Sequence, residues 1–145
     1  MLTCPETAAL LRQWDQILVM SHASPDGDTL GSASALLRGL SSLGKQVDFL
    51  CADPVPEKFS YLFAGLPLGG FEPAHVMTVD VADKALLGKA PQELVARVEL
   101  AIDHHGTHVP FAPQRWVEAD SAATVELIYA LLGELGVDLD RAMAR

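Results

Sequence analysis

The sequence is short of cysteine, of positive charge and of long apolar runs. Cys4 and Cys51 are the only thiols in 145 residues. Two cysteines so far apart build neither a disulfide framework nor a zinc knuckle. Lys and Arg number 10 against 19 Asp and Glu, for a net charge of −9. Such a balance repels polyanions, so a broad groove for a long duplex or an anionic lipid surface is excluded as a partner. A small phosphorylated ligand remains compatible, provided something cationic lies between it and the protein. No stretch approaches the roughly 18–20 apolar residues that span a bilayer. Residues 1–14 also lack the basic start and apolar run of a secretory signal, so a cytoplasmic protein without a membrane partner is expected. Missing too is any GxGxxG or P-loop pattern after the first apolar run, which argues against dinucleotide or nucleoside-triphosphate binding.

What is present is a foldable chain of one domain's length, half hydrophobic and a fifth charged, which excludes intrinsic disorder. No repeat or flexible linker divides it. Residues 5–13 read as a short amphipathic helix with Pro5 at its start. Residues 16–21 (QILVMS) form a continuous apolar run of strand length, the pattern of a strand covered on both faces. A helix is expected over 28–43, with Leu30, Ala33, Leu37 and Leu40 on one stripe and Gly44 ending it. Strands follow at 47–52, 75–80 and 98–103, with a short helix near 57–63 and a weak helical segment between the last two strands. A brief fifth strand is expected at 116–118 and the clearest helix at 120–135. Asp138 reads as the cap of a further helix over 139–145. This alternation predicts an α/β fold: a doubly wound, mostly parallel sheet with helices on both faces, joined by right-handed crossovers.

Three apolar strands end in residues that bind divalent metals: His22-Ala-Ser-Pro-Asp26-Gly-Asp28 after the first, Asp80 after the third, and Asp103-His104-His105 after the fourth. Ligands of open parallel sheets bind outside the carboxyl ends of the strands, where strand order reverses. Taken singly, each piece has an ordinary reading. Ser-Pro-Asp-Gly-Asp is a good turn, Asp28 could cap its own helix, and an Asp closing a strand is usually a turn residue. Their joint placement has no such reading, because carboxylates gathered at one edge repel without a cation. Carboxylate oxygen mixed with imidazole nitrogen suits Mn²⁺ or Zn²⁺ better than Ca²⁺, and the absence of cysteine from every cluster excludes structural zinc. His75, Trp14, Trp116 and both cysteines read as structural.

On the residues His22-x-x-Pro25-Asp26-Gly27-Asp28-x-x-Gly31-Ser32, Val79-Asp80 and Asp103-His104-His105, the sequence resembles the DHH phosphoesterase superfamily, RecJ-like proteins included. The Pro-Asp-Gly-Asp-x-x-Gly-Ser form, with Ala122-Ala123-Thr124-x-Glu126-Leu127-Ile128-Tyr129 downstream, looks most like its oligoribonuclease/pAp-phosphatase branch. The resemblance implies a two-metal phosphoesterase, usually with Mn²⁺ (Mg²⁺ or Zn²⁺ as alternatives), acting on short oligonucleotides and on the 3′-phosphate of pAp. His22 and Asp26 would hold one ion, Asp28 and His104 the other, with Asp80 bridging. Asp103 would orient a histidine, and His105 would touch the substrate phosphate. His108 stands where this branch often has Asn, as a candidate ligand or substrate contact. Gly27 would allow a tight turn between ligands, while Gly31, Ser32 and Ala33 would let the helix start pack close to the sheet.

The resemblance also implies a further strand with another Asp ligand and a C-terminal DHH-associated domain. The expectation is therefore an N-terminal catalytic domain that stops short at Arg145. Two other readings share these residues. One is an inorganic pyrophosphatase or cyclic-dinucleotide phosphodiesterase on the same domain. The other is a non-catalytic metal- or partner-binding module, whose open sheet edge would favour a homodimer.

Overall fold

The computed structural model describes residues 1–138 of the chain; the helix expected over 139–145 lies outside them. Strands β1 (Ile17–Met20), β2 (Val47–Leu50), β3 (His75–Val79), β4 (Val98–Asp103) and β5 (Gln114–Val117) form one sheet in the order β2-β1-β3-β4-β5. All four pairings are parallel. The doubly wound α/β arrangement expected from alternation is therefore present, and the sheet is parallel throughout. From β1 the chain moves one way to β2, and from β3 the other way to β4, so the order reverses between β1 and β3. That reversal opens the carboxyl edge where both strands end.

Parallel strands are buried on both faces, and here neighbouring residues divide between two cores. Ile17, Val19, Met77, Val79, Leu100, Ile102 and Trp116 point to one side. That side is covered by α1 (Cys4–Gln13), α2 (Gly27–Ser42) and α4 (Thr124–Glu134). Leu18, Met20, Val76, Val98 and Ala101 point to the other, where the cover is thinner. A 3-10 turn at Lys84–Leu87, the one-turn helix α3 (Gln92–Val95) and the loop carrying Ala112 supply it. The weak helical segment expected between β3 and β4 is thus two short turns. Proline and the Gly88 positive φ of 62° keep it from becoming a longer helix.

Two strand details were invisible in the apolar pattern. Val98 and Leu100 are two apart yet serve opposite cores, because the register shifts from Val76↔Val98 to Met77↔Leu100 and leaves Glu99 as an extra residue. The bulged Glu99 accepts from His75 Nδ1 at 2.7 Å, and the His75 ring stacks on Trp14 with centroids 4.3 Å apart. His75 is structural, as expected.

The helix ends are set by capping. Thr3 and Glu6 form a reciprocal capping box that starts α1, with Pro5 in the first turn. α2 begins at Gly27 because Asp26 caps it, its Oδ1 accepting from the Thr29 N–H at 2.9 Å. The expected helix over 120–135 starts only at Thr124. Residues 120–123 stay outside it, and Ala123 at the cap position offers no side-chain oxygen. Gly31 also departs from expectation: its Cβ position faces open space, and Ser32 and Ala33 alone are buried against the fold. Among the described residues no helix is long and apolar enough to cross a membrane.

α2 packs against α4 at Gly39, where an added Cβ would lie 2.2 Å from Leu132 Cδ2. Leu132 is fully buried, so its side chain has little room to yield. We expect Gly39→Ala to destabilise by about 1–2 kcal/mol, overpacking outweighing the gain in helix propensity. Leu132→Ala should cost about 2–5 kcal/mol. The double variant should be less destabilised than the sum, because the new methyl fills vacated space; urea denaturation of the four proteins measures the coupling.

Candidate metal centre

The carboxyl edge receives His22 two residues beyond β1, Asp26 and Asp28 around the start of α2, Asp80 directly after β3, and Asp103, His104 and His105 at the end of β4. Asp80 lies at the centre. It is 2% exposed and adopts a left-handed φ of 61°, while its N–H still donates to Ile102 O at 2.9 Å. A non-glycine residue held there costs on the order of 1–3 kcal/mol, and the conformation turns its side chain out of the strand register. Two threonine hydroxyls seize the carboxylate. Thr29 Oγ1 donates to Oδ2 at 2.5 Å and Thr124 Oγ1 to Oδ1 at 2.9 Å. Burial pushes the Asp80 carboxyl upward, but the His22 imidazole, the two hydroxyls and the charge of His105 together outweigh it and hold its pKa below the usual range.

Three imidazoles face this carboxylate. His22 Nε2 lies 3.7 Å from Oδ2, His104 Nε2 3.7 Å from Oδ1, and His105 Nδ1 3.8 Å from Oδ1. These separations are too long for hydrogen bonds. His22 Nδ1 is anchored on Ala23 O at 2.7 Å and His104 Nδ1 on Ser121 O at 3.2 Å. Each ring therefore donates from Nδ1 to the backbone and turns Nε2 toward Asp80, the orientation second contacts impose on metal-binding histidines.

Nε2 of His22 also sits 2.5 Å from Thr29 Oγ1. The Thr29 proton is already given to Asp80, so this contact needs a proton on His22. In agreement, Asp80 foremost, and the Ala23 carbonyl with it, push the His22 pKa up to about 9 despite partial burial. In the metal-free protein the imidazolium supplies the positive charge that the carboxylates require.

Asp28 does not cap its own helix. Its Oδ2 accepts from the Thr124 N–H at 3.2 Å and its Oδ1 from the Val125 N–H at 3.1 Å, across 96 and 97 residues. It thus caps α4, which has no cap of its own, and a carboxylate there also complements the helix dipole. Oδ2 lies 3.6 Å from His104 Nε2. Burial is the main cause that raises the Asp28 pKa, with the Asp80 charge adding to it.

Asp103 is fully buried and accepts from two rings, His105 Nδ1 on Oδ1 at 2.6 Å and His108 Nδ1 on Oδ2 at 2.9 Å. The His105 side chain is 40% exposed and that of His108 only 4%. Burial works against protonation of His105, but the Asp103 bond and the charges of Asp103, Asp80 and Asp28 leave its pKa raised.

Among the described residues, two groups place one possible ligand atom per residue within 4.8 Å of one another: His22, Asp26 and Asp80, and Asp80, His104 and His105. Asp80 belongs to both. Oxygen and imidazole donors without thiolate fit a hard-to-borderline divalent ion such as Mn²⁺. Thr29 carries no signal in the sequence. Thr124 stood inside a quoted motif without a role, and its place at the start of the last helix was the signal available.

A parallel sheet of this order, with acids and imidazoles meeting at its reversal point, is the arrangement expected from the resemblance to DHH phosphoesterases. The family model described as "DHH family, N-terminal domain" matches residues 16–145, and the chain belongs to the DHH family. It is 33% identical over 129 residues to the bifunctional oligoribonuclease and PAP phosphatase NrnA of Thermus thermophilus, and 27% identical over 120 residues to NrnA of Bacillus subtilis. These alignments cover 84% and 81% of this chain, and it spans 38% of the length of either relative. Among solved structures, an exopolyphosphatase-related protein from Bacteroides fragilis matches with a TM-score of 0.80 and 21% identity, over 97% of this chain and 45% of that one. RecJ from Thermus thermophilus in complex with Mn²⁺ matches with a TM-score of 0.59 and 22% identity, over 93% and 21%. Both show the same fold.

The raised His22 pKa gives a test in EDTA-treated protein. Its contribution to stability is fully present below the unfolded value of about 6.5 and is lost as pH rises through about 9. The depressed Asp80 acts at the other end, its contribution disappearing as pH falls through the acid range. Asp28, raised, opposes it there, so the alkaline limb is the cleaner one; the raised His105 adds to it, and a His22 variant separates the two. The urea midpoint should fall by about 0.5 M between pH 6.5 and 9.5, allowing for solvent screening. His22→Gln should flatten most of that fall; an unchanged slope would contradict the ion pair.

Proposed function

We propose that this chain is the catalytic domain of a metal-dependent phosphoesterase. Its substrates are short oligonucleotides, cleaved at phosphodiester bonds, and the 3′-phosphate of pAp. The observation that carries this reading is the convergence on one buried carboxylate, Asp80, of the His22–Asp26 group from one side and of His104 from the other, with Asp28 Oδ2 3.6 Å from His104 Nε2. The NrnA relatives support the substrate class.

In this reading His22 and Asp26 hold one divalent ion, Asp28 and His104 the second, and Asp80 serves both. Two such ions would lower the pKa of a bound water, orient it in line with the leaving oxygen and neutralise developing charge on the phosphoryl group. The chain's own residues do the rest. Thr29 and Thr124 fix the Asp80 carboxylate with their hydroxyls, and the Ala23 and Ser121 carbonyls hold the His22 and His104 rings by Nδ1. His105, whose Nδ1 is committed to Asp103, offers Nε2 to a phosphate oxygen from an exposed ring. The positive charge for an anionic substrate comes from the ions and His105, which reconciles a net charge of −9 with a phosphate ligand.

Calorimetric titration with Mn²⁺, paired with turnover of pApA, pAp and pyrophosphate, tests the proposal. Two ions per chain and Mn²⁺-dependent release of AMP are expected. Asp80→Asn should lose both ions and at least about 10³-fold in kcat/KM, since several kcal/mol of charge stabilisation depend on them. Equal turnover by the variant would refute the site, and preferential cleavage of pyrophosphate would refute the substrate class. Metal binding without turnover of any of the three would favour the non-catalytic reading.

Thr124→Val keeps the size of the side chain and removes one hydroxyl from Asp80. A loss of about 10- to 100-fold in Mn²⁺ affinity is expected in the same titration, the usual cost of an outer hydrogen-bond partner.

A further inference from the structure

From the hydrogen bonds around Asp103 we infer that His108 is a positioning residue: it acts through Asp103 to hold His105 in the orientation that meets a substrate phosphate. The functional half of this inference rests on the role proposed for His105; the structural half does not.

Asp103 has no exposure, so each of its oxygens needs a donor, and each receives one imidazole. A tight turn brings the two rings to one carboxylate, with the His108 N–H donating to His105 O at 3.1 Å. The next residue pins that turn to the loop beyond Asp80, the Val109 N–H donating to Ala82 O at 2.7 Å. His108 itself is sealed, its side chain 4% exposed and its ring 5.7 Å from that of Phe111. Its Nε2 is buried with no hydrogen-bond partner among the described residues. That environment decides the tautomer. A proton on Nε2 would be stranded, and a bare Nδ1 would oppose Asp103 Oδ2 at 2.9 Å, so the proton sits on Nδ1 and is donated.

The bond to Oδ2 fixes the plane of the carboxylate, and the plane aims Oδ1 at His105 Nδ1. With that nitrogen engaged, Nε2 of His105 is the atom left for a ligand. Removing the His108 donor would leave a buried carboxylate oxygen unpaired. The carboxylate would then rotate, or draw His105 inward, to recover a second bond.

His108→Leu removes the donor at similar volume, whereas His108→Asn keeps an N–H at the position of Nδ1. Long-range ¹H–¹⁵N spectra of the metal-free protein read the imidazole tautomers directly, without reference to activity. Protonated, exchange-protected Nδ1 on both His105 and His108 is expected. In His108→Leu the His105 signal should lose protection, and kcat/KM for pApA should fall about 10- to 100-fold, mostly through KM. His108→Asn should restore both to within a few-fold. A His108 proton on Nε2 in the wild-type spectrum overturns the inference even if the leucine variant fails to fold. So does a leucine variant that keeps the protected His105 signal and the wild-type KM. If the spectra behave as expected but no variant, wild type included, turns over pApA, the proposed function fails while the hydrogen-bond chain stands.

Discussion

The arrangement of this edge depends on keeping one carboxylate, Asp80, charged inside the protein. An ionised group in a nearly solvent-free position is tolerated only if it is paired and hydrogen-bonded. Asp80 meets that condition with parts drawn from across the chain: a hydroxyl from α2, another from α4, and imidazoles from the ends of β1 and β4. Its left-handed backbone is the strained element that the surrounding bonds over-determine. Strand order, helix placement and turn geometry therefore all have to be correct before this group is stable.

The same logic sorts the five histidines by what holds Nδ1. His22 and His104 give it to backbone carbonyls and turn Nε2 to the carboxylates. His105 and His108 give it to one shared buried acid. His75, at the opposite end of β3, gives it to a bulged glutamate and stacks on tryptophan, away from the carboxyl edge. Identical side chains are thereby divided among carboxylate-facing, exposed and buried structural positions by their partners.

Much of this was legible in the sequence, for a definite reason. Strands buried on both faces read as unbroken apolar runs, so QILVMS, HVMTVD and VELAID announced themselves, and the polar residue ending each run marked the edge. What could not be read were contacts between distant segments. The pairing of Asp28 with the amides of residues 124 and 125, the Thr29 and Thr124 hydroxyls on Asp80, and the bulge at Glu99 have no local signature. The late start of α4 belongs to the same class, because its cap comes from another helix. Local propensity likewise overstated Gly31, whose freedom from contact no pattern reveals.

The placement of Asp28 has a bearing on how such a chain can change over evolution. A carboxylate crowded by other acids is a standing liability, and substitutions that neutralise it would ordinarily be welcome to a folding domain. Here the same oxygens terminate a helix that has no other cap. Neutralising Asp28 would relieve repulsion and fray α4 together, so a drift toward greater stability at the expense of the centre is obstructed at this position. The helix end and the acidic edge are inherited as one trait there, through a single side chain.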